Sequence, residues 1–130
     1  MESAGHPVVL LVDDEFLVLL AIRDFMAEAG FTVLEAEDAE AALGVLYEHP
    51  ETELVFTDIN MPGQMDGIGL AHAIQYLRPD IEVVLTSGRA APARSELPSR
   101  ARFVEKPYSM GALTEIFKSM LAEGPARPVM

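Results

Sequence analysis

Val8-Val9-Leu10-Leu11-Val12-Asp13-Asp14-Glu15 places an unbroken apolar run directly before an acidic cluster, and that junction decides the fold. A short run with no polar alternation reads as a strand buried on both faces, the pattern of a parallel sheet covered by helices. From Glu15 to Ala29 the pattern changes to helical spacing and closes at Gly30. The same succession repeats along the chain. Thr32 to Leu34, Leu54 to Thr57, Val83 to Thr86 and Arg102 to Glu105 read as further strands. Helices are expected over Ala39 to Glu48, closed by Pro50; Gly67 to Leu77, closed by Pro79; and Met110 to Glu123, closed by Gly124 and Pro125. Strand and helix in alternation imply a five-stranded parallel sheet flanked by helices and joined by right-handed crossovers, an α/β fold.

Two segments depart from the simple pattern. Between Arg89 and Ala101, Pro92 and Pro98 limit any helix to one or two turns, since proline removes a donor and clashes with the preceding turn. A short or irregular fourth helix is expected there. In the first helix, Val18, Ala21, Ile22, Phe25, Met26 and Ala29 form the stripe expected to face the sheet. That core reading is the ordinary one and is preferred; Phe16, Leu17, Leu19 and Leu20 then fall on the remaining faces, and an exposed apolar patch, of the kind that often marks a partner site, is the sharper alternative.

Composition narrows the function. The chain has 130 residues, 21 acidic against 9 basic, a net charge of -12 and no cysteine. Length suits one domain, read here as 1–130 with its core at 7–123 and a tail at 124–130. The negative balance argues against direct nucleic-acid binding and against anionic membranes. Nothing resembles a signal peptide or a membrane span, so a cytoplasmic protein is expected. Lack of cysteine excludes thiolate nucleophiles and thiolate metal sites. His6, His49 and His72 lack metal-binding spacing. Six of the nine basic residues lie between 78 and 106; solvated loop arginines are the ordinary reading, a docking edge for an acidic partner the sharper one.

In an open parallel sheet, ligands bind beyond the carboxyl ends of the strands. Here those ends carry Asp13 and Asp14, Asp58, Thr86 and Ser87, and Lys106 before Pro107. Each alone is an ordinary cap or turn residue. Together they gather carboxylates, a hydroxyl and an ammonium. Clustered carboxylates are costly without a cation, and magnesium accepts one or two of them while sharing its shell with a phosphoryl group. The implied chemistry is phosphoryl transfer.

The motifs Leu11-Val12-Asp13-Asp14-Glu15, Phe56-Thr57-Asp58-Ile59-Asn60-Met61-Pro62-Gly63, Met65-Asp66-Gly67, Leu85-Thr86-Ser87-Gly88 and Phe103-Val104-Glu105-Lys106-Pro107-Tyr108 resemble those of the receiver domain of two-component response regulators. The resemblance covers about residues 7–123. It implies a flavodoxin-like receiver fold, with strand order 2-1-3-4-5 and five helices. Asp58 would be the phosphoacceptor, receiving its phosphoryl group from a histidine kinase or a phosphotransfer protein. Asp13, Asp14, Asp58 and the backbone carbonyl of Asn60 would hold Mg2+ (or Mn2+). Ser87, preferred to Thr86 because the small Gly88 follows, and Lys106 would bind the phosphoryl oxygens. Phe103 would be the switch aromatic, and the Lys106-Pro107 bond would be cis. Phe16, Leu17, Leu19 and Leu20, beside the acidic pocket, would dock the kinase helix.

Such a protein signals by contact with a downstream protein and catalyses only its own phosphoryl transfer and acylphosphate hydrolysis. Gly63-Gln64 lengthens the loop before Met65 by one residue, and the stretch from Ser87 to Lys106 is short. Competing classes are a non-phosphorylated pseudo-receiver acting by constitutive binding, a receiver fragment of a hybrid kinase, and an aspartate-nucleophile phosphatase. The last is disfavoured because Asn60, not an acid, stands two residues after Asp58.

Overall fold

A computed structural model describes residues 6–89 and 91–123 of the chain. The expected tail at 124–130, with the helix stops at Gly124 and Pro125, lies outside the described residues. Five strands, β1 (Val8–Val12), β2 (Thr32–Ala36), β3 (Leu54–Asp58), β4 (Glu82–Ser87) and β5 (Arg102–Glu105), alternate with helices α1 (Phe16–Glu28), α2 (Ala39–Glu48), α3 (Gly67–Leu77) and α4 (Met110–Glu123). All strand pairs are parallel, in the order β2-β1-β3-β4-β5. The three central strands are buried almost throughout, whereas β2 and β5, at the edges, are largely exposed or half-buried.

Between β4 and β5 the described chain forms one 3-10 turn, Arg94–Glu96. The prolines have their expected effect, and four α-helices flank the sheet where the family resemblance implied five. Arginines fasten this region. Arg100 donates to the Pro79 carbonyl and reaches Glu82, and Arg94 donates to the Ser99 carbonyl at 2.6 Å.

Strand alternation divides the apolar residues between two layers. Leu10, Val12, Val55, Val83 and Leu85 pack with Ala42 and Leu46 of α2 and Leu70, Ala71 and Ile74 of α3. Val9, Leu11, Leu54, Phe56 and Val84 face the other way, against α1 and against Leu113, Phe117 and Met120 of α4. Asp38 and Asp66 cap α2 and α3, accepting from the Ala41 and Gly69 amides at 2.8 and 2.9 Å.

The orientation of α1 corrects the sequence reading. Its buried residues are Leu19, Ile22 and Met26; Ala21 and Phe25 are exposed, and Val18 and Ala29 are half-buried. Leu19 therefore belongs to the core and not to the outer face. Because all sides of this helix carry apolar residues, periodicity alone cannot choose its rotation; packing against the sheet and α4 does. Phe16 and Leu17 are 68% and 74% exposed, and Leu20 is half-buried.

One close approach fixes α3 relative to β3. The Gly67 amide donates to the Ile59 carbonyl at 2.9 Å, and a Cβ on Gly67 would lie 2.7 Å from Ile59 Cα and press on the Asp58 carbonyl. Only glycine fits without moving the backbone that carries Asp58. We expect Gly67→Ala to lower stability by about 1–3 kcal/mol, read as a lower urea midpoint. Gly44→Ala, in α2 with open space around its Cβ, should instead raise it by about 0.5–1 kcal/mol.

Candidate functional site

Parallel pairing brings the acidic residues together. Val12 of β1 lies opposite Thr57 of β3, so the next step along the two strands juxtaposes Asp13 and Asp58. Both are nearly buried, at 5% and 7% exposure, while Asp14 is exposed. Lys106, just beyond β5, reaches across β4 and donates from Nζ to Asp58 Oδ2 at 3.0 Å. The Asn60 amide donates to Asp58 Oδ1, also at 3.0 Å. Each oxygen of Asp58 thus has its own donor. Asp13 Oδ1 accepts from the Glu15 amide at 2.9 Å, at the start of α1. The Lys106-Pro107 peptide is cis.

Register separates the two candidate hydroxyls. Thr86 pairs with Asp58 and with Val104 and shares their face, toward α1 and α4. Ser87 shares the opposite face with Leu85 and the half-buried Phe103. Ser87 Oγ accepts from Asn60 Nδ2 at 2.9 Å and from the Arg89 amide at 3.0 Å. Thr86 Oγ1, by contrast, is buried with no hydrogen-bond partner among the described residues.

Electrostatics shows the cost of this cluster. The Asp13 pKa is raised above the ordinary 3.8, chiefly by burial and further by Asp58 and Asp14, against the Glu15 amide and Lys106, which lower it. The Tyr108 hydroxyl is pushed up to about 12 by burial and by the charges of Asp13 and Asp58. Its ring packs edge-on against Phe56, with centroids 5.8 Å apart. Tyr108 therefore stays neutral beside the acids. Neither Tyr108 nor the Asn60 side chain was marked by the sequence reading; an aromatic directly after Lys106-Pro107 was the available signal for the first.

Among the described residues no three His, Cys, Asp or Glu side chains form a metal cage. A hard divalent cation needs fewer: one or two carboxylates, a carbonyl and water suffice for magnesium. Asp13 and Asp58, mutually repelling oxygen donors, fit that demand. Beside them opens a cleft of about 370 Å³ lined by Asp13, Asp14, Phe16, Leu19, Glu35 and Glu37, so the exposed Phe16 stands at its rim.

Residues 9–118 match the response regulator receiver domain family. The chain belongs to this family. It is 35% identical over 124 residues to the sensor kinase CckA of Brucella abortus, covering 92% of this chain and 13% of that protein. It is 31% identical over 116 residues to the response regulator receiver protein CpdR of the same organism, covering 87% of this chain and 95% of the relative. The crystal structure of the CheX-CheY-BeF3-Mg2+ complex from Borrelia burgdorferi superimposes with a TM-score of 0.78 at 26% identity, covering 87% of each chain. The protein is thus a phosphoacceptor receiver of two-component signalling, a signalling module. No described helix is long and apolar enough to cross a membrane.

The raised Asp13 pKa makes stability depend on pH. The folded receiver holds a proton that the unfolded chain has released, so stability falls as pH rises from 3.8 through the raised value. The penalty is complete at neutral pH. We expect Asp13→Asn to unfold at higher urea than the parent at pH 7 in metal-free buffer, the gain shrinking as pH is lowered toward 3.8. A parent that is the more stable at pH 7 would contradict this.

Proposed function

We propose that Asp58 is the residue that accepts the phosphoryl group, from a phosphohistidine on a histidine kinase or a phosphotransfer protein. A carboxylate oxygen attacks phosphorus, the P–N bond breaks, and the departing imidazole keeps the electron pair and takes a proton. The observation that supports this most directly is the two-sided anchoring of Asp58 by Lys106 Nζ and the Asn60 amide, each at 3.0 Å. A nucleophile held in one orientation has surrendered its rotational freedom before reaction.

Lys106 follows charge from the carboxylate to the transferred phosphoryl oxygens, and the Ser87 hydroxyl donates to another of them. Asp13, Asp14, Asp58 and the Asn60 carbonyl are the residues that would hold Mg2+ or Mn2+. Such an ion, when bound, offsets the repulsion between these carboxylates and an incoming phosphoryl group. Phe103, on the Ser87 face, carries the change toward a downstream protein. The same chemistry serves a free receiver and one borne on a longer kinase, and hydrolysis of the acylphosphate is its only other reaction.

Incubation with magnesium and acetyl phosphate tests the acceptor. We expect a phosphate adduct by mass spectrometry that is absent in Asp58→Ala; no adduct on the intact protein overturns the assignment.

Docking is assigned to Phe16, Leu17 and Leu20, since Phe16 is exposed at the rim of the acidic cleft, Leu17 is exposed next to it in sequence, and a histidine-bearing helix has to approach there. Phe16→Ser with Leu20→Ser is expected to slow transfer from the cognate kinase by about tenfold or more, while phosphorylation by acetyl phosphate stays within about twofold of the parent. Equal transfer rates from the kinase would remove the patch from docking.

A further inference from the structure

In the reading above Asn60 contributes only backbone groups, yet its side chain makes a specific contact. Its amide N–H donates to Asp58 Oδ1 at 3.0 Å, and its Nδ2 donates to Ser87 Oγ at 2.9 Å. One residue therefore ties the end of β3 to the end of β4. Ser87 Oγ receives a second donor, the Arg89 amide at 3.0 Å, which uses both of its lone pairs. The hydroxyl is 2% exposed at the residue level, whereas Asn60 is exposed. A surface carboxamide thus holds a buried hydroxyl in place.

We infer that the Asn60 side chain is a positioning residue that latches Ser87 in the unphosphorylated arrangement, and that its bond must be given up before Ser87 turns to a phosphoryl oxygen on Asp58. The inference rests on Asp58 being the acceptor. Three features carry it. The contact joins residues 27 apart in sequence, so it is made by the folded β3 and β4 ends and not by a local turn. Asn60 is exposed, so on release its amide returns to water and the latch costs only a net hydrogen bond. Ser87 keeps the Arg89 amide when the carboxamide is removed, so a substitution at position 60 takes away one of the two restraints on the hydroxyl without leaving it unpartnered. The latch is a modest bias against switching and not a lock.

Beryllofluoride, which stands in for the phosphoryl group on an aspartate, reads this bias at equilibrium. Its affinity in the presence of magnesium is measured by calorimetry on the full chain, for the parent, Asn60→Ala, Ser87→Ala and the double variant. We expect Asn60→Ala to bind roughly two- to tenfold more tightly than the parent, the range of one net hydrogen bond. In the Ser87→Ala background the same substitution should change affinity by less than about twofold, because the partner of the latch is gone. In metal-free Asn60→Ala, the Ser87 and Gly88 amide resonances should move toward their beryllofluoride-bound positions. Unchanged or weaker binding by Asn60→Ala, or an equal gain in both backgrounds, overturns the latch and leaves Asp58 as acceptor. A parent that binds no beryllofluoride overturns the acceptor assignment and the latch with it.

Discussion

Repulsion between Asp13 and Asp58 is the constraint around which this receiver is arranged. Backbone pairing of β1 with β3 places the two residues next to each other at the strand ends, where both are nearly buried. Only one ammonium, Lys106, directly bonds either of them among the described residues. The strands beneath are apolar and buried, so solvent screens the pair poorly. A cation bound there would offset that repulsion. The sheet tolerates the charge cluster because it lies at the strand ends, clear of both apolar layers.

The polar residues at the strand ends are divided between the two faces of the sheet. Asp58 and Thr86 point toward α1 and α4, while Ser87 and Phe103 point toward α2, α3 and the 3-10 turn. Alternation along a strand makes this division automatic: consecutive residues Thr86 and Ser87 cannot share a face. Asn60 sits where the two faces meet, with its backbone N–H on Asp58 and its carboxamide on the Ser87 hydroxyl.

Much of the architecture was legible because glycine, proline and acidic residues punctuate it. The bounds of β1, β5, α2 and α3 and the start of α4 coincide with those signals. The ends of β2 and β4 were hidden by charge, since Glu35 and Glu82 read as loop residues. Glu35 extends its strand with its carboxylate paired to Arg23 at 3.3 Å, and Glu82 begins its strand with Arg100 nearby. The rotation of α1 was illegible because it depends on what α4 presents to it. At the site, clustering of the strand-end residues could be foreseen from topology. The Asn60 contact could not, because a side-chain hydrogen bond between residues 60 and 87 leaves no trace in spacing or composition.

The abbreviated crossover between β4 and β5 sets how cheaply one side of the molecule can open. Within residues 91–101, only Leu97 and Ala101 join the apolar core. What holds the segment is instead a set of polar contacts at the surface: Arg94 and Arg100 donate to the Ser99 and Pro79 carbonyls, the Arg100 amide donates to Gln75 Oε1, and His72 Nε2 meets the Glu96 carbonyl. Such bonds exchange with water at little cost, so local opening is expected to cost less here than in the buried central strands. Its amides should exchange with solvent by local fluctuation, without global unfolding, and a partner binding there meets a surface that is remoulded more readily than it is displaced.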